Sequence, residues 1–200
     1  MISIKDTNLN LNYYQNFYSD KDATYLYDTF EKLIEYRSDE ESSIVINGRT
    51  IKIPRKQIAY GDKGLSYTFT GNKVPVEDWN ESDKVSKLLL KIRNKIKKYT
   101  KIEYNFVLIN RYKDGNDYIG YHFDSEYDLV DKSSIAGISL GAERDMCFKD
   151  QVYGKVKKVK LEHGSLVTID FPTNRHWKHS IPKRKKCTYP RISLTFRQMK

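Results

Sequence analysis

Three observations predict an α+β chain built around an antiparallel barrel or jelly roll. Two segments with helical apolar spacing come first. Six short segments of period two follow, at 106–111, 135–140, 145–148, 156–161, 166–169 and 191–197. Gly115, Gly141, Gly154, Gly164 and Asn174 punctuate them, as turns between antiparallel strands require. At 200 residues the chain is one domain, long enough to bury a core without disulfides or structural metal.

Taken in order, residues 1–18 read as irregular and rich in Asn and Tyr. Ser19 with Asp22 three residues later resembles a capping box. Ala23, Leu26, Tyr27, Phe30, Leu33 and Ile34 then follow at helical spacing, so a helix is expected to about Tyr36. A polar loop over 38–43 leads to a hairpin at 44–46 and 49–53, because Asn47-Gly48 supplies the positive φ angles of a tight turn. Ile51 and Ile53 alternate with Lys52 as on a half-buried strand. Short strands are expected near 57–60 and 67–70. Ser82 or Asp83 caps a second helix with Val85, Leu88, Leu89, Ile92 and Ile96 on one face and lysines on the other. Within that one domain the chain divides into an N-terminal extension and helix (1–43), a stretch of short strands with a supporting helix (44–104) and a strand-rich core (105–200).

The composition excludes several classes. With 16 Tyr, 8 Phe and 2 Trp the chain is too aromatic to be disordered. No apolar run is long enough to span a membrane. The opening MISIKDTNLN lacks the basic start and apolar stretch of a secretion signal. Two cysteines, Cys147 and Cys187, suggest a reducing compartment and so an intracellular protein. The net charge of +10 is unevenly spread: −4 over residues 1–50, +7 over 51–100, −4 over 101–150 and +11 over 151–200. A basic surface on folded elements favours phosphate contacts.

His122-Phe123-Asp124 sets an imidazole and a carboxylate two residues apart, and hence on one face of a strand. Two such groups can take adjacent positions on a metal. With a third ligand from His163, His176 or His179 they complete the facial triad of non-haem Fe(II) oxygenases. Alone, the tripeptide is weak, since about 0.3 accidental copies are expected in a chain of this composition. Its bland counterpart is a structural His–Asp hydrogen bond. The C-terminal segment strengthens it. An oxygen-activating iron of this kind needs two further electrons, and a 2-oxo acid is one source. Its far carboxylate wants a bidentate cation. Arg191 and Arg197 lie six apart on one strand face with Ser193 and Thr195, while Ile192, Leu194 and Phe196 form the other face, which the two helices could cover.

Five segments, NFVLINRYKDGNDYIGYHFD (105–124), SLGAERD (139–145), EHGSLVTI (162–169), TNRHWKHSIP (173–182) and PRISLTFR (190–197), closely resemble the AlkB family of Fe(II)/2-oxoglutarate dioxygenases. PRKQIAYGDKGLSYTFTG (54–71) narrows the resemblance to the branch of the eukaryotic AlkB homologues two and three. It covers residues 44–197 with its motifs in the family's order. The resemblance implies a double-stranded β-helix (jelly-roll) core, with the N-terminal helices and hairpin packed outside. It implies Fe(II) held by His122, Asp124 and His179, and 2-oxoglutarate held by Asn110, Tyr112, Arg191, Thr195 and Arg197. It also implies molecular oxygen as the third reactant. One arginine would take the distal carboxylate and the other would lie near the iron.

By the same resemblance the activity is oxidative demethylation of 1-methyladenine and 3-methylcytosine in DNA, with release of formaldehyde. The partner is then DNA, with RNA open and no membrane, and the protein is a monomer; a wealth of Lys, Ile, Asn and Tyr adds a viral replication compartment to the nucleus as its place, without distinguishing the two. Tyr67, Thr68 and Phe69 match the lid over the target base. Glu126 is the carboxylate placed to select a cationic base. Arg184, Lys185 and Lys186 match a basic loop that grips the opposite strand. Lys155, Lys157, Lys158 and Lys160 flank a further loop. Asn47, with Gly48 and Arg49, falls where that branch carries a hydrophobic finger. An amide cannot replace an aromatic wedge, which keeps single-stranded DNA or RNA open as substrate. Two rival readings are a non-catalytic nucleic-acid-binding module on a degenerate barrel, and an oxygenase of protein or small molecules. The eight metal and co-substrate residues argue against the first, and the basic C-terminal stretch argues against the second.

Overall fold

A computed structural model describes residues 1–38, 43–46, 48–69, 72–124 and 129–200. Along the chain the elements are β1 (Ile2–Asp6), β2 (Leu9–Tyr14), α1 (Asp20–Leu33), β3 (Ser43–Ile46) and β4 (Arg49–Lys52). Next come β5 (Lys56–Gly61), β6 (Tyr67–Phe69), β7 (Asn72–Val74), β8 (Val76–Asp78), α2 (Lys84–Thr100) and β9 (Phe106–Tyr112). The last group is β10 (Ile119–His122), β11 (Ile135–Gly141), β12 (Arg144–Asp150), β13 (Val156–Leu161), β14 (Ser165–Ile169), α3 (Thr173–His176), β15 (Trp177–Ile181) and β16 (Arg191–Arg197).

Two sheets face each other. The larger has eight strands in the order β1-β2-β14-β11-β16-β9-β5-β8, and the smaller has four in the order β10-β15-β12-β13. All ladders are antiparallel except β5 with β8. This is the expected jelly roll, and its larger sheet draws strands from all three segments of the chain. Among the described residues no helix is long and apolar enough to cross a membrane.

Both helices form where the apolar spacing places them. Ser19 caps α1 by accepting from the Asp22 N–H, and Asp83 caps α2 by accepting from Ser86 N–H at 2.7 Å. Ala23, Leu26 and Phe30 of α1 and Leu89, Ile92 and Ile96 of α2 pack on the outer face of the large sheet, against Ile192, Leu194 and Phe196 of β16. Covering that apolar face leaves the polar face of β16 pointing between the sheets.

Several expectations are corrected. Residues 1–18 are not irregular: β1 and β2 form a hairpin, and β2 pairs with β14, Leu11 opposite Ile169. The period-two burial of Leu9, Leu11 and Tyr13 is interleaved with Asn10 and Asn12, which obscured it. Asn12 Nδ2 donates to Asp170 at 2.7 Å, so the polar positions also bind the edge in place. Helix α1 stops at Leu33 rather than Tyr36, because Ile34 turns to extended backbone and sets Ile34 and Tyr36 against the core. The 44–53 hairpin exists, with Gly48 at φ +74°, but β3 and β4 pair only with each other. Ile51 is therefore exposed rather than half-buried. Strands β7, β8 and β15 and the short α3 were not anticipated, and β10 ends at His122, short of the strand expected to carry both His122 and Asp124. Of the 38–43 loop, residues 39–42 lie outside the described residues.

Candidate active site

The facing polar surfaces of β16, β11 and β9 on one sheet, and of β10 and β15 on the other, enclose a cavity at the centre of the sandwich. Antiparallel pairing of β10 with β15 sets His122 directly opposite His179, with ring centroids 4.3 Å apart. The register shifts by one residue between Ile119 and His122, a bulge that aims the His122 ring inward. His122 and Asp124 do not share a strand as expected, since β10 ends at His122. Asp124 is instead held by Asn174, whose Oδ1 accepts from Asp124 N–H at 3.0 Å and whose Nδ2 donates to Asp124 C=O at 2.6 Å. Sequence reading missed Asn174 because it acts on main chain.

Asp124 Oδ1 lies 3.6 Å from His122 Nε2 and 3.9 Å from His179 Nε2. These separations exceed hydrogen-bond range. All three ligand atoms fall within 4.8 Å of one another, the arrangement one ion would bridge. His122 Nδ1 contacts Gly120 C=O at 2.9 Å. A proton there leaves Nε2 as a lone pair facing Asp124 and His179. Burial, reinforced by His122, lowers the His179 imidazole to about 3, so it is neutral and able to ligate at physiological pH. Burial alone would raise the Asp124 carboxyl. Arg197, which donates to Asp124 Oδ1 at 2.8 Å, and the two imidazoles outweigh that and hold it well below the usual carboxylate range.

Arg191, Ser193, Thr195 and Arg197 all line this cavity, as the β16 alternation predicted. Arg191 is 2% exposed; its Nη2 donates to Ser139 Oγ at 2.9 Å, while Nε and Nη1 have no hydrogen-bond partner among the described residues. Burial lowers this guanidinium to about 10, which leaves it cationic at neutral pH. Among the described residues no carboxylate pairs with it. A buried cation with idle donors calls for an anion, and the distal carboxylate of 2-oxoglutarate fits that need. Tyr112 lies beneath both Arg191 and Arg144, whose guanidinium carbons are 5.3 and 5.6 Å from its ring centroid. Asn110 Oδ1 accepts from Arg55 Nε at 2.9 Å and Gln57 Nε2 at 2.8 Å, which turns its amide nitrogen toward the cavity. Arg55 and Gln57 lie within the 54–71 motif, which assigns them no role. Their spacing of two, with Gln57 opposite Asn110, was the signal that could have found them.

Tyr67 lines the cavity but is 1% exposed, packed on Phe106 at 5.3 Å and beneath Arg197 at 5.4 Å. Its ring is thus a wall of the cavity and part of the core together. Thr68 is exposed. Asn47, Glu126 and the side chain of Phe69 lie outside the described residues. Gly48 and Arg49 sit exposed on the β3–β4 hairpin and do not line the cavity. Arg184, Lys185 and Lys186 are exposed on the loop between β15 and β16. His163 is structural: its Nδ1 accepts from Gly141 N–H at 2.8 Å and its Nε2 meets Thr24 Oγ1 at 3.2 Å.

The chain is similar to known proteins over most of its length. The family model described as the 2OG-Fe(II) oxygenase superfamily matches residues 10–197. The chain is 40% identical over 194 residues to the human protein named DNA oxidative demethylase ALKBH2, covering 93% of this chain and 72% of that one. It is 29% identical to the Arabidopsis thaliana protein of the same name, covering 92% and 65%. It is also 32% identical to the Bos taurus alpha-ketoglutarate-dependent dioxygenase alkB homolog 3, covering 74% and 52%. The solved structure of OsALKBH1 superposes with a TM-score of 0.61 at 18% identity, covering 94% of this chain and 97% of that one, a likeness of fold.

Proposed function

The chain belongs to the 2OG-Fe(II) oxygenase superfamily, and on that premise we propose that it is an oxidative demethylase of N-methylated bases in DNA, with His122, Asp124 and His179 as its iron ligands. Iron with 2-oxoglutarate and oxygen supplies the oxidant that hydroxylates the methyl carbon, and the products are succinate, carbon dioxide, formaldehyde and the restored base. The observation that carries the reading is one cavity holding the two-imidazole, one-carboxylate cluster beside a buried, unneutralised arginine. Arg191, with Asn110, Tyr112 and Thr195 around it, binds and orients the co-substrate. Arg197 keeps Asp124 ionised. Asn174 fixes Asp124 against the segment that leads into His179. The walls, Tyr67 among them, exclude bulk water from the reacting methyl.

The relatives named as DNA oxidative demethylases support DNA as the substrate. Residues 44–104 then carry the nucleotide-recognition lid and 105–200 the catalytic core. Glu126 selects the positive charge of 1-methyladenine or 3-methylcytosine, and Arg184, Lys185 and Lys186 take backbone phosphates. A second reading, action on single-stranded DNA or RNA, is favoured by Asn47 standing where an aromatic wedge would be needed to hold a duplex open.

The test is incubation of the purified protein with Fe(II), 2-oxoglutarate and methylated oligonucleotides, single- and double-stranded. Formaldehyde and succinate in equal amounts are expected, and Asp124→Ala is expected to reduce both to background. No product on any substrate would overturn the activity. Full activity in Asp124→Ala would overturn the ligand assignment.

A further inference from the structure

A second concavity, of about 520 Å³, lies outside the catalytic cavity, between the end of β11 and the loop joining β15 to β16. Its walls are Tyr27 of α1, Gly141, Tyr189 and Pro190, and its rim carries Arg184 and Lys186. That volume is in the range of small-molecule sites. Tyr27 is drawn close because Gly141 has no side chain: a Cβ there would meet the Tyr27 ring at 2.7 Å and Pro190 C=O at 2.6 Å. Tyr189 is 75% exposed.

The groove is built before any ligand arrives. Gly115 N–H donates to Cys187 C=O and Arg184 N–H donates to Gly115 C=O, each at 2.8 Å. A Cβ on Gly115 would lie 1.8 Å from Arg184 C=O, so only glycine permits this latch. Arg144, 1% exposed, donates to Asp114 C=O at 3.1 Å, Asp117 C=O at 2.8 Å and Pro182 C=O at 2.7 Å, which ties both loops to the sheet. Arg184 Nη1 donates to Glu143 C=O at 3.1 Å and is thereby directed along the rim. The acid on the groove wall, Glu143, is engaged by Lys160 at 2.7 Å.

Two cations on the rim of a pre-formed slot with an exposed aromatic ring suit a nucleotide: phosphate on the cations, base on the ring. A paired base has no free face to offer a slot, whereas an unpaired one does. We propose that this groove binds one unpaired nucleotide of a single-stranded nucleic acid, its base stacked on Tyr189 and its phosphate held by Arg184 and Lys186. The site rests on the reading of the protein as a nucleic-acid enzyme, and it gives the single-stranded substrate a footing that a blunt finger does not remove.

The experiment uses the full-length protein and a short unmethylated single strand carrying 2-aminopurine, with the matching duplex as the second arm. Stacking on Tyr189 is expected to quench the probe. Tyr189→Ala is expected to weaken single-strand binding about tenfold and abolish the quench, and Tyr189→Trp to keep both. Replacing Arg184 and Lys186 together by Gln is expected to lower the log–log salt slope by about 0.7, one phosphate contact on a single strand. Wild-type affinity and quench in Tyr189→Ala overturn the site, as does an equal loss on the duplex, which would mark a backbone contact without a base. The readout needs no turnover. A Tyr189-dependent quench in a protein that demethylates nothing keeps the groove and removes the activity; demethylation with no effect of Tyr189 does the reverse.

Discussion

Asp124 carries its carboxylate two residues past the end of β10, where no ladder fixes it. Its geometry comes from Asn174, which satisfies both main-chain groups of Asp124 with one side-chain amide. Asn174 sits five residues before His179, so the same side chain ties together the two segments that bear the proposed iron ligands. Replacing it by Ala leaves a partly buried N–H and C=O without partners and frees Asp124 to move. Asn174→Ala is expected to lower Fe(II) or Co(II) affinity by roughly 10- to 100-fold, read by competition with a chelator in the absence of substrate. Affinity within twofold of wild type would mean that Arg197 alone positions the carboxylate. At this scale the sequence revealed what acts through side-chain chemistry. The His-x-Asp pair and the inward face of Arg191 and Arg197 could be read directly. Asn174 and Arg144 act by holding main-chain groups, which no spacing rule announces, whereas Arg55 and Gln57 hold the Asn110 side chain and left only their spacing of two as a signal.

Elements were legible in proportion to how cleanly their periodicity separates apolar from polar. Helix α2 and strand β16 have one apolar face each; α2 starts at the expected cap and β16 spans the expected 191–197. Strand β15 alternates too, but its inward residues Trp177, His179 and Ile181 include an imidazole that a hydrophobic count scores as polar. The N-terminal hairpin was lost in its asparagines. Yet β2 closes the sandwich: Leu9, Leu11 and Tyr13 join Phe148, Trp177 and Ile181 in one cluster that floors the inner space. Leu11, with no exposed surface, is therefore a core residue of the catalytic fold. Leu11→Ala is expected to cost about 2–5 kcal/mol and lower Tm by roughly 5–15 °C in a melt of the metal-free protein. A drop below about 2 °C would show that the hairpin frays independently of the sheet.

Across the whole molecule, the charge of +10 resolves into three populations with different exposure. Some cations are neutralised where they stand: Lys155 and Lys157 meet Asp6, Lys97 meets Glu103 at 2.9 Å, and Arg111 meets Glu31. The lysines around the β12–β13 turn are thus partly spent on the protein's own acids and contribute less to phosphate binding than their number suggests. Arg191 and Arg197, 2% and 3% exposed, face the co-substrate cavity. Arg184, Lys185 and Lys186 stand in solvent. Salt distinguishes the last two groups, because the screening length is about 10 Å at 0.1 M in water while buried charges are screened much less. Raising NaCl from about 50 to about 200 mM is expected to weaken DNA binding by at least tenfold through the release of ions condensed on the phosphates. The KM for 2-oxoglutarate, measured on the same protein at saturating oligonucleotide, is expected to stay within twofold, since Arg191, the proposed partner of its carboxylate, is buried away from bulk ions. A KM that rises in step with the DNA Kd would place the co-substrate arginine in contact with solvent, and would remove the argument that a buried, unneutralised cation marks this cavity.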